Sequence, residues 1–348
     1  MNPNWKTFLI ENGATFSNQN LSFESSNLEQ QDLMQGTVLS DLSDKGLIAV
    51  SGEDAEIFLQ NQLTNDLKNV TETNHQESAW CSPKGRIIAN FRILKKGDTY
   101  ILSFSHDLIE LVIKKLRMYV MMSKVNIEDI TDSVIHFGLS GEQAQKILEE
   151  TLTAPSTIGD TVQHNSLSVL RVAGEVPRFE IFGDLDDTKA LWSSLLQKGQ
   201  KRGVCALTAN QYWLYQDILA GLPYITEASS EAWIPQMVNY VAIGGVDFKK
   251  GCYPGQEVVA RLNYLGKTKR RMYRLALQTD ELPNVGTSLS SANDKGAGKI
   301  LNAALNPNGT VEALAILKIA EADNALWLEN KESATAKILD LPYKIEDQ

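Results

Sequence analysis

Between Gly244 and Glu257 the chain reads Gly244-Gly245-Val246-Asp247-Phe248-Lys249-Lys250-Gly251-Cys252-Tyr253-Pro254-Gly255-Gln256-Glu257. Four glycines and one proline in so short a run specify an irregular backbone, with turns that only glycine tolerates. Cys252 lies within it, two residues after a Lys-Lys pair. Nearby cations stabilise a thiolate, so a partly exposed Cys252 would be a reactive thiol. The same residues are equally compatible with a buried, inert cysteine in a glycine-rich turn.

Charge adds weight to this segment. The chain of 348 residues carries 33 Lys and Arg against 43 Asp and Glu, a net charge of −10. From Lys249 to Arg274, however, eight cations face the single anion Glu257. Such a basic window inside an acidic chain marks a local anion site or, more plainly, a solvated strand face. The overall charge argues against nucleic acid spread across the surface. Cys81, Cys205 and Cys252 form no CxxC pair, so zinc ribbons and self-ligated iron–sulfur clusters find no support. His75, His106, His136 and His164 show no metal spacing, and no metal site is expected. Neither GxxxxGK[ST] nor a GxGxxG after a strand is present. The N-terminus lacks a secretory pattern, no apolar run would span a membrane, and unpaired thiols fit a reducing compartment. A cytoplasmic protein is expected.

The elements that must position these residues read as α+β. Residues 1–36 form a polar leader, with a short helix near Trp5–Glu11 and Ser/Asn/Gln clusters at Ser17–Leu21 and Ser25–Gln31. Residues 37–132 form a first unit. Its strand Leu47–Val50 leads to a helix from Ser51 to Leu63 with Asp54 as its capping acid. Strands Arg86–Lys95 and Asp98–Ser105, a helix Asp107–Met121 and a strand Val125–Ile130 complete the ferredoxin-like order. Residues 133–230 repeat the plan: strand Val134–Leu139, a helix to Glu150, strands Ser166–Val172 and Arg178–Phe182, and a helix Asp186–Gln197. Thr208 and Gln211 then cap a helix carrying Trp213, an aromatic that is core by default but could stack on a planar ring. Residues 231–270 hold the glycine-rich motif. Residues 271–348 alternate in short runs, as in a small β-barrel or sandwich.

Lys250-Gly251-Cys252-Tyr253-Pro254-Gly255-Gln256-Glu257 resembles the KGCYxGQE signature of the YgfZ family, relatives of the glycine-cleavage T-protein. Trp233-Ile234-Pro235-Gln236, Asn239 and Val258-Val259-Ala260-Arg261 flank it as in that family. Leu47–Ala55, Phe58–Asp66, Pro83-Lys84-Gly85-Arg86 and Leu341-Pro342-Tyr343 extend the likeness over about residues 37–348.

The resemblance implies two ferredoxin-like domains and a C-terminal β-barrel around a central cavity for tetrahydrofolate. It implies an accessory role in iron–sulfur cluster assembly or repair, and through it tRNA thiolation. Partners would be folate and iron–sulfur enzymes or assembly proteins, without direct nucleic-acid binding or a membrane. Cys252 would be the functional thiol. Of two folate-linked tryptophans, one falls on Trp213 and the other on Lys45. Lys249, Lys250 and Arg261 would steer the glutamate tail, with Tyr253 and Gln256 beside them. The T-protein's paired aspartates align with Ala89 and Asn90, and its pterin-holding acid aligns with Leu219, beside Gln216 and Asp217. An amide cannot accept the proton that a carboxylate does. This leaves a folate-dependent aminomethyl transferase, and a protein-docking module with a degenerate pocket, as the competing readings.

Overall fold

The structure, a computed structural model, describes residues 1–17, 20–23, 36–202, 205–208, 210–329, 331 and 333–345. The chain begins with helix α1 (Pro3–Glu11), started by Asn2, whose side chain accepts from the amides of Asn4 and Trp5, and by Pro3 in the first turn. Trp5 and Leu9, four residues apart and therefore on one helix face, are both buried. Trp5 stands edge-on to Trp192 at 5.4 Å, stacks near Phe137, and donates Nε1–H to Asp41 at 2.7 Å. The helix expected near Trp5–Glu11 is present as α1, and the described part of the polar leader is anchored: α1 and the hairpin β1 (Ala14–Ser17) and β2 (Asn20–Phe23) pack into the second unit's core. The Ser25–Gln31 cluster lies outside the described residues.

Strand β3 (Thr37–Asp41) also leaves the first unit. It pairs antiparallel with β9 (Ile135–Ser140) and parallel with β13 (Cys205–Thr208). All five of its residues are buried, because it runs through the interior of the six-stranded sheet β10–β11–β12–β9–β3–β13. In that sheet β10 is Thr161–His164, β11 Leu167–Val172 and β12 Arg178–Gly183, with helices α4 (Ala144–Glu149) and α5 (Leu185–Lys201) in the connections. Removing β3 and the edge strand β10 leaves the ferredoxin-like order. Thr208 ends β13, and its hydroxyl pairs with Ser40 at 2.7 Å. The helix after it is α6 (Asn210–Leu219).

The first sheet runs β5–β6–β7–β4–β8, with β4 Lys45–Ser51, β5 Gln76–Cys81, β6 Ile87–Lys96, β7 Thr99–Ser105 and β8 Asn126–Asp129. Strand β5 was not expected from sequence; it adds at the edge and carries the buried Trp80 and Cys81. Helix α2 is shorter than expected, Ala55–Gln60: Gly52 stands at φ +113°, outside the helical range, and Asp54 at the N-cap position makes no side-chain capping bond. The Asp54 carboxylate instead accepts from the amide of Lys124 at 2.7 Å. Helix α3 (Ile109–Val120) covers the sheet with Ile109, Val112 and Leu116.

The segment 231–270 folds back onto this first unit. Ile87 donates to the Trp233 carbonyl, the Thr64 hydroxyl to that of Gly245, and the Tyr240 hydroxyl to that of Ser78. It ends in helix α7 (Gln256–Leu265). Strands β14 (Arg270–Leu277), β15 (Ser288–Ser291), β16 (Gly298–Leu305), β17 (Val311–Lys318), β18 (Leu326–Leu328) and β19 (Thr335–Leu339) close a barrel in the order β14–β17–β16–β15–β18–β19. Closure leaves no free sheet edge. Leu275, Leu289, Ile300, Val311 and Leu317 fill its interior.

Candidate functional site

Cys252 is exposed, on a loop fastened at both ends. Before it, Lys250 is buried, and its Nζ donates to the carbonyls of Gln60 at 2.7 Å, Asn65 at 3.0 Å and Leu63. Burial pushes the Lys250 pKa down to about 8. After it, Gly255 adopts φ +81° at the start of α7, where a Cβ would lie 2.4 Å from the Ser82 carbonyl oxygen and 2.7 Å from Gly85 Cα. Only glycine permits both that φ and that approach. The turn Pro83-Lys84-Gly85-Arg86 and the KGCYPGQE loop, two motifs 170 residues apart in the chain, therefore touch. Tyr253 turns inward with its ring buried and its hydroxyl unpartnered; burial, with the Cys81 thiol nearby, raises its pKa. Burial likewise pushes the Cys81 thiol up, so Cys81 is inert beside the accessible Cys252.

The expected folate contacts separate into two places. Lys250 is committed to main-chain carbonyls and Tyr253 faces the core. Lys249 and Arg261 are exposed and Gln256 is half-buried. None of these five, nor Cys252, lines the large cavity of about 1110 Å³ or the two small spaces beside it. Trp213 and Lys45 do, but not as a stacking pair.

Trp213 is buried, with Gly138 against its ring: a Cβ on Gly138 would sit 2.3 Å from it. The Arg178 guanidinium lies 4.3 Å from the ring centroid. Such a cation–π contact occupies the face that a flat ligand would use. The Trp213 Nε1–H donates to Glu180 Oε1 at 3.2 Å. That carboxylate also receives Lys45 Nζ at 3.0 Å and Arg92, and His136 Nε2 lies 3.3 Å from its other oxygen. Burial alone would raise the Glu180 pKa, but Arg92 and Lys45 outweigh it and hold the group well below its ordinary value. Burial lowers His136 to about 4, so it is neutral. Arg92 extends the network to Glu77 at 2.7 Å, and Arg178 donates to Asp217 at 2.7 Å.

Sequence reading missed this hub. Its trace is the alternation Arg178-Phe179-Glu180-Ile181 in β12, with two charges on one face of a strand that is otherwise apolar.

Around the hub lie three spaces. The largest, about 1110 Å³, is lined by Asp41, Asp44, His106, Asp107, Asn210, Gln211, Tyr212 and Tyr224, by Lys6, Phe16 and Phe23 of the N-terminal segment, and by Leu305–Pro307 of the barrel. Two small ones, about 60 and 30 Å³, lie among Lys45, Asp217 and Tyr224. The outer volume suits a ligand of folate size.

A family model described as the GCVT N-terminal domain matches residues 6–211. The chain is 30% identical to "tRNA-modifying protein YgfZ" of Klebsiella pneumoniae (strain 342) over 313 residues, 89% of this chain and 94% of that one. It is 31% identical to the protein of the same name from Escherichia coli O7:K1 over the same shares. The chain belongs to the YgfZ family. In fold, it superimposes on the glycine cleavage system aminomethyltransferase T of Bartonella henselae with a TM-score of 0.73, at 16% identity, over 98% of this chain and 97% of that one.

Within this YgfZ-family chain, Asn90 is structural: its Nδ2 donates to Pro223 O at 2.9 Å and its Oδ1 accepts from Ile225 N at 3.0 Å. Ala89 is buried in the first core. Neither position offers a proton acceptor where the resemblance puts the T-protein's aspartates. Leu219 is buried, and Asp217 beside it is paired with Arg178.

Proposed function

We propose that this protein is a tetrahydrofolate-binding accessory factor that supports iron–sulfur cluster assembly or repair, and through it tRNA modification, with Cys252 as its functional thiol. The observation that carries the reading is the fastening of an exposed cysteine between a buried lysine clamp and a glycine–glycine contact. A loop held this rigidly, with Lys250 and Tyr253 turned into the protein, leaves the Cys252 side chain for a partner. The outer cavity of about 1110 Å³ supplies the folate site, with Tyr212 and Tyr224 as aromatic walls and Lys6 as the cation for the glutamate tail. The chain works in the cytoplasm; among the described residues no helix is long and apolar enough to cross a membrane.

The aminomethyl-transfer alternative has no proton acceptor at Ala89 or Asn90, and Asn90 is spent on main-chain bonds. Folate here therefore acts as a bound regulator or scaffold rather than as a one-carbon acceptor. In a bacterial strain lacking its own family member, wild type and Cys81→Ala restore tRNA thiolation and the activity of an iron–sulfur enzyme, whereas Cys252→Ala restores neither. Equal rescue by Cys252→Ala would overturn the thiol's role.

A further inference from the structure

We infer that Asp44 and Tyr224, at the neck between the large outer cavity and the two inner spaces, receive the head of the bound ligand: a planar heterocycle that presents adjacent N–H donors. The inference rests on the folate reading above and adds to it which residues read the ring.

Tyr224 lines all three spaces, so its side chain stands where the outer cavity meets the inner ones. Its main chain is held in both directions by one barrel residue. The Tyr224 amide donates to Asn302 Oδ1 at 2.9 Å, and Asn302 Nδ2 donates to the Tyr224 carbonyl at 2.8 Å. The wall is therefore fixed by the C-terminal barrel and preorganised. Asp44 lines the outer cavity and the nearer inner space. It sits in the tight turn between β3 and β4, closed by Lys45 N donating to Leu42 O at 3.0 Å. Its side chain opens to the lumen, although the surrounding protein raises its pKa through burial.

The other acids of this cavity, Asp41 and Asp107, line the outer space alone and do not reach the neck. Asp41 accepts from Trp5 Nε1 and the Ser43 hydroxyl, and Asp107 accepts from the amide of Glu227 at 2.9 Å. Asp44, which accepts from the Asn210 side chain, is the carboxylate of the outer cavity that also lines the inner space.

Beyond the neck there is no room for a ring. Spaces of about 60 and 30 Å³ hold one or two water molecules. Lys45 and Asp217 wall both of them, Glu77 and Arg92 wall the smaller, and the Trp213 ring beside the other is covered by Gly138 and Arg178. A flat ligand entering the outer cavity stops at Tyr224 and Asp44. A carboxylate accepts two parallel N–H bonds from a group such as a 2-amino-4-oxopyrimidine edge, and rejects an oxygen in place of the amino group. Lys6, toward the N-terminal segment, then faces the far end of the ligand.

The test is calorimetric titration of the full chain with tetrahydrofolate under anaerobic conditions, and with 6-hydroxymethylpterin and 6-hydroxymethyllumazine, which differ only in an amino or oxo group at position 2. Wild type binds tetrahydrofolate and prefers the pterin to the lumazine by about tenfold or more. Asp44→Asn lowers pterin affinity about tenfold and abolishes the preference, while its melting temperature stays within about 2 °C of wild type. Tyr224→Leu lowers affinity for both rings, and Trp213→Phe keeps the preference. If Asp44→Asn binds and discriminates as wild type does, the neck assignment is overturned and the folate reading stands. If wild type binds none of the three compounds, the folate reading itself falls and takes this inference with it.

Discussion

Lys249 and Lys250 are neighbours in sequence and opposites in structure, which makes them a paired test of how the thiol loop is held. Lys250 is buried with three main-chain carbonyls on its ammonium, whereas Lys249 is exposed. Lys250→Met keeps the stem and removes the donors. A hydrogen bond to a charged group contributes about 1.5–3 kcal/mol, and some of the freed carbonyls of the 60–65 turn regain water. The wild-type ammonium also carries a desolvation cost, seen in its lowered pKa of about 8. A net loss of about 2–4 kcal/mol follows. With an unfolding entropy of about 2.1 cal/mol/K per residue, this 348-residue chain loses roughly 3–6 °C in melting temperature. Lys249→Met shifts it by no more than about 1 °C. Differential scanning fluorimetry of both variants decides the matter. Hydrogen exchange should then quicken at the amides of residues 60–66 in Lys250→Met alone. Equal melting of the two variants would refute the clamp and return Lys250 to the ligand-binding role that its charge first suggested.

Three further outcomes follow from the same structure. Asp41 is buried and raised from 3.8 to about 6, chiefly by desolvation, so its neutral form is favoured in the fold. Its contribution is complete below pH 3.8 and lost as pH rises through 6; Asp41→Asn should gain about 3 kcal/mol on wild type between pH 4 and 7, at about 1.4 kcal/mol per pKa unit. Parallel urea-denaturation curves of the two proteins across that range would contradict this. Gly138→Ala forces a methyl into the Trp213 ring and should cost about 1–3 kcal/mol, read by chemical denaturation, with a change in Trp fluorescence. Alkylation of the native protein, mapped by peptide mass spectrometry, should label Cys252 within minutes and leave Cys81 unmodified until denaturant is added. Prompt labelling of Cys81 would show that β5 opens locally.

Much of the scaffold was legible because its cause is local. Strands β6 and β7 follow from apolar runs parted at Lys96-Gly97, and α3 from its apolar face. The glycine pattern around Cys252 marked an irregular loop, and Gly255 indeed stands at positive φ. Less legible were elements whose partners lie far off in the chain. Asp54 has the spacing of a capping acid, yet its carboxylate accepts from the distant Lys124 amide and makes no capping bond to α2. Residues 1–16 look polar, but Trp5 and Leu9 are enough to anchor them once Trp192 and Asp41 are in place.

The site divides along the same line. Sequence by itself determined the family, the glycine-rich thiol loop and the absence of a carboxylate at Ala89 and Asn90, because each is a matter of residue type at a fixed spacing. Only the tertiary structure decided what the charges do. Lys250 turns from a candidate anion binder into a main-chain clamp, and Lys45 and Trp213 become members of a buried ion-pair hub on Glu180. A charge costs too much to bury alone, so its role is set by the partner that the fold brings to it, and that partner is not encoded nearby. Asp44 gained significance the same way, as a turn residue that the packing of two sheets and a barrel sets facing a cavity.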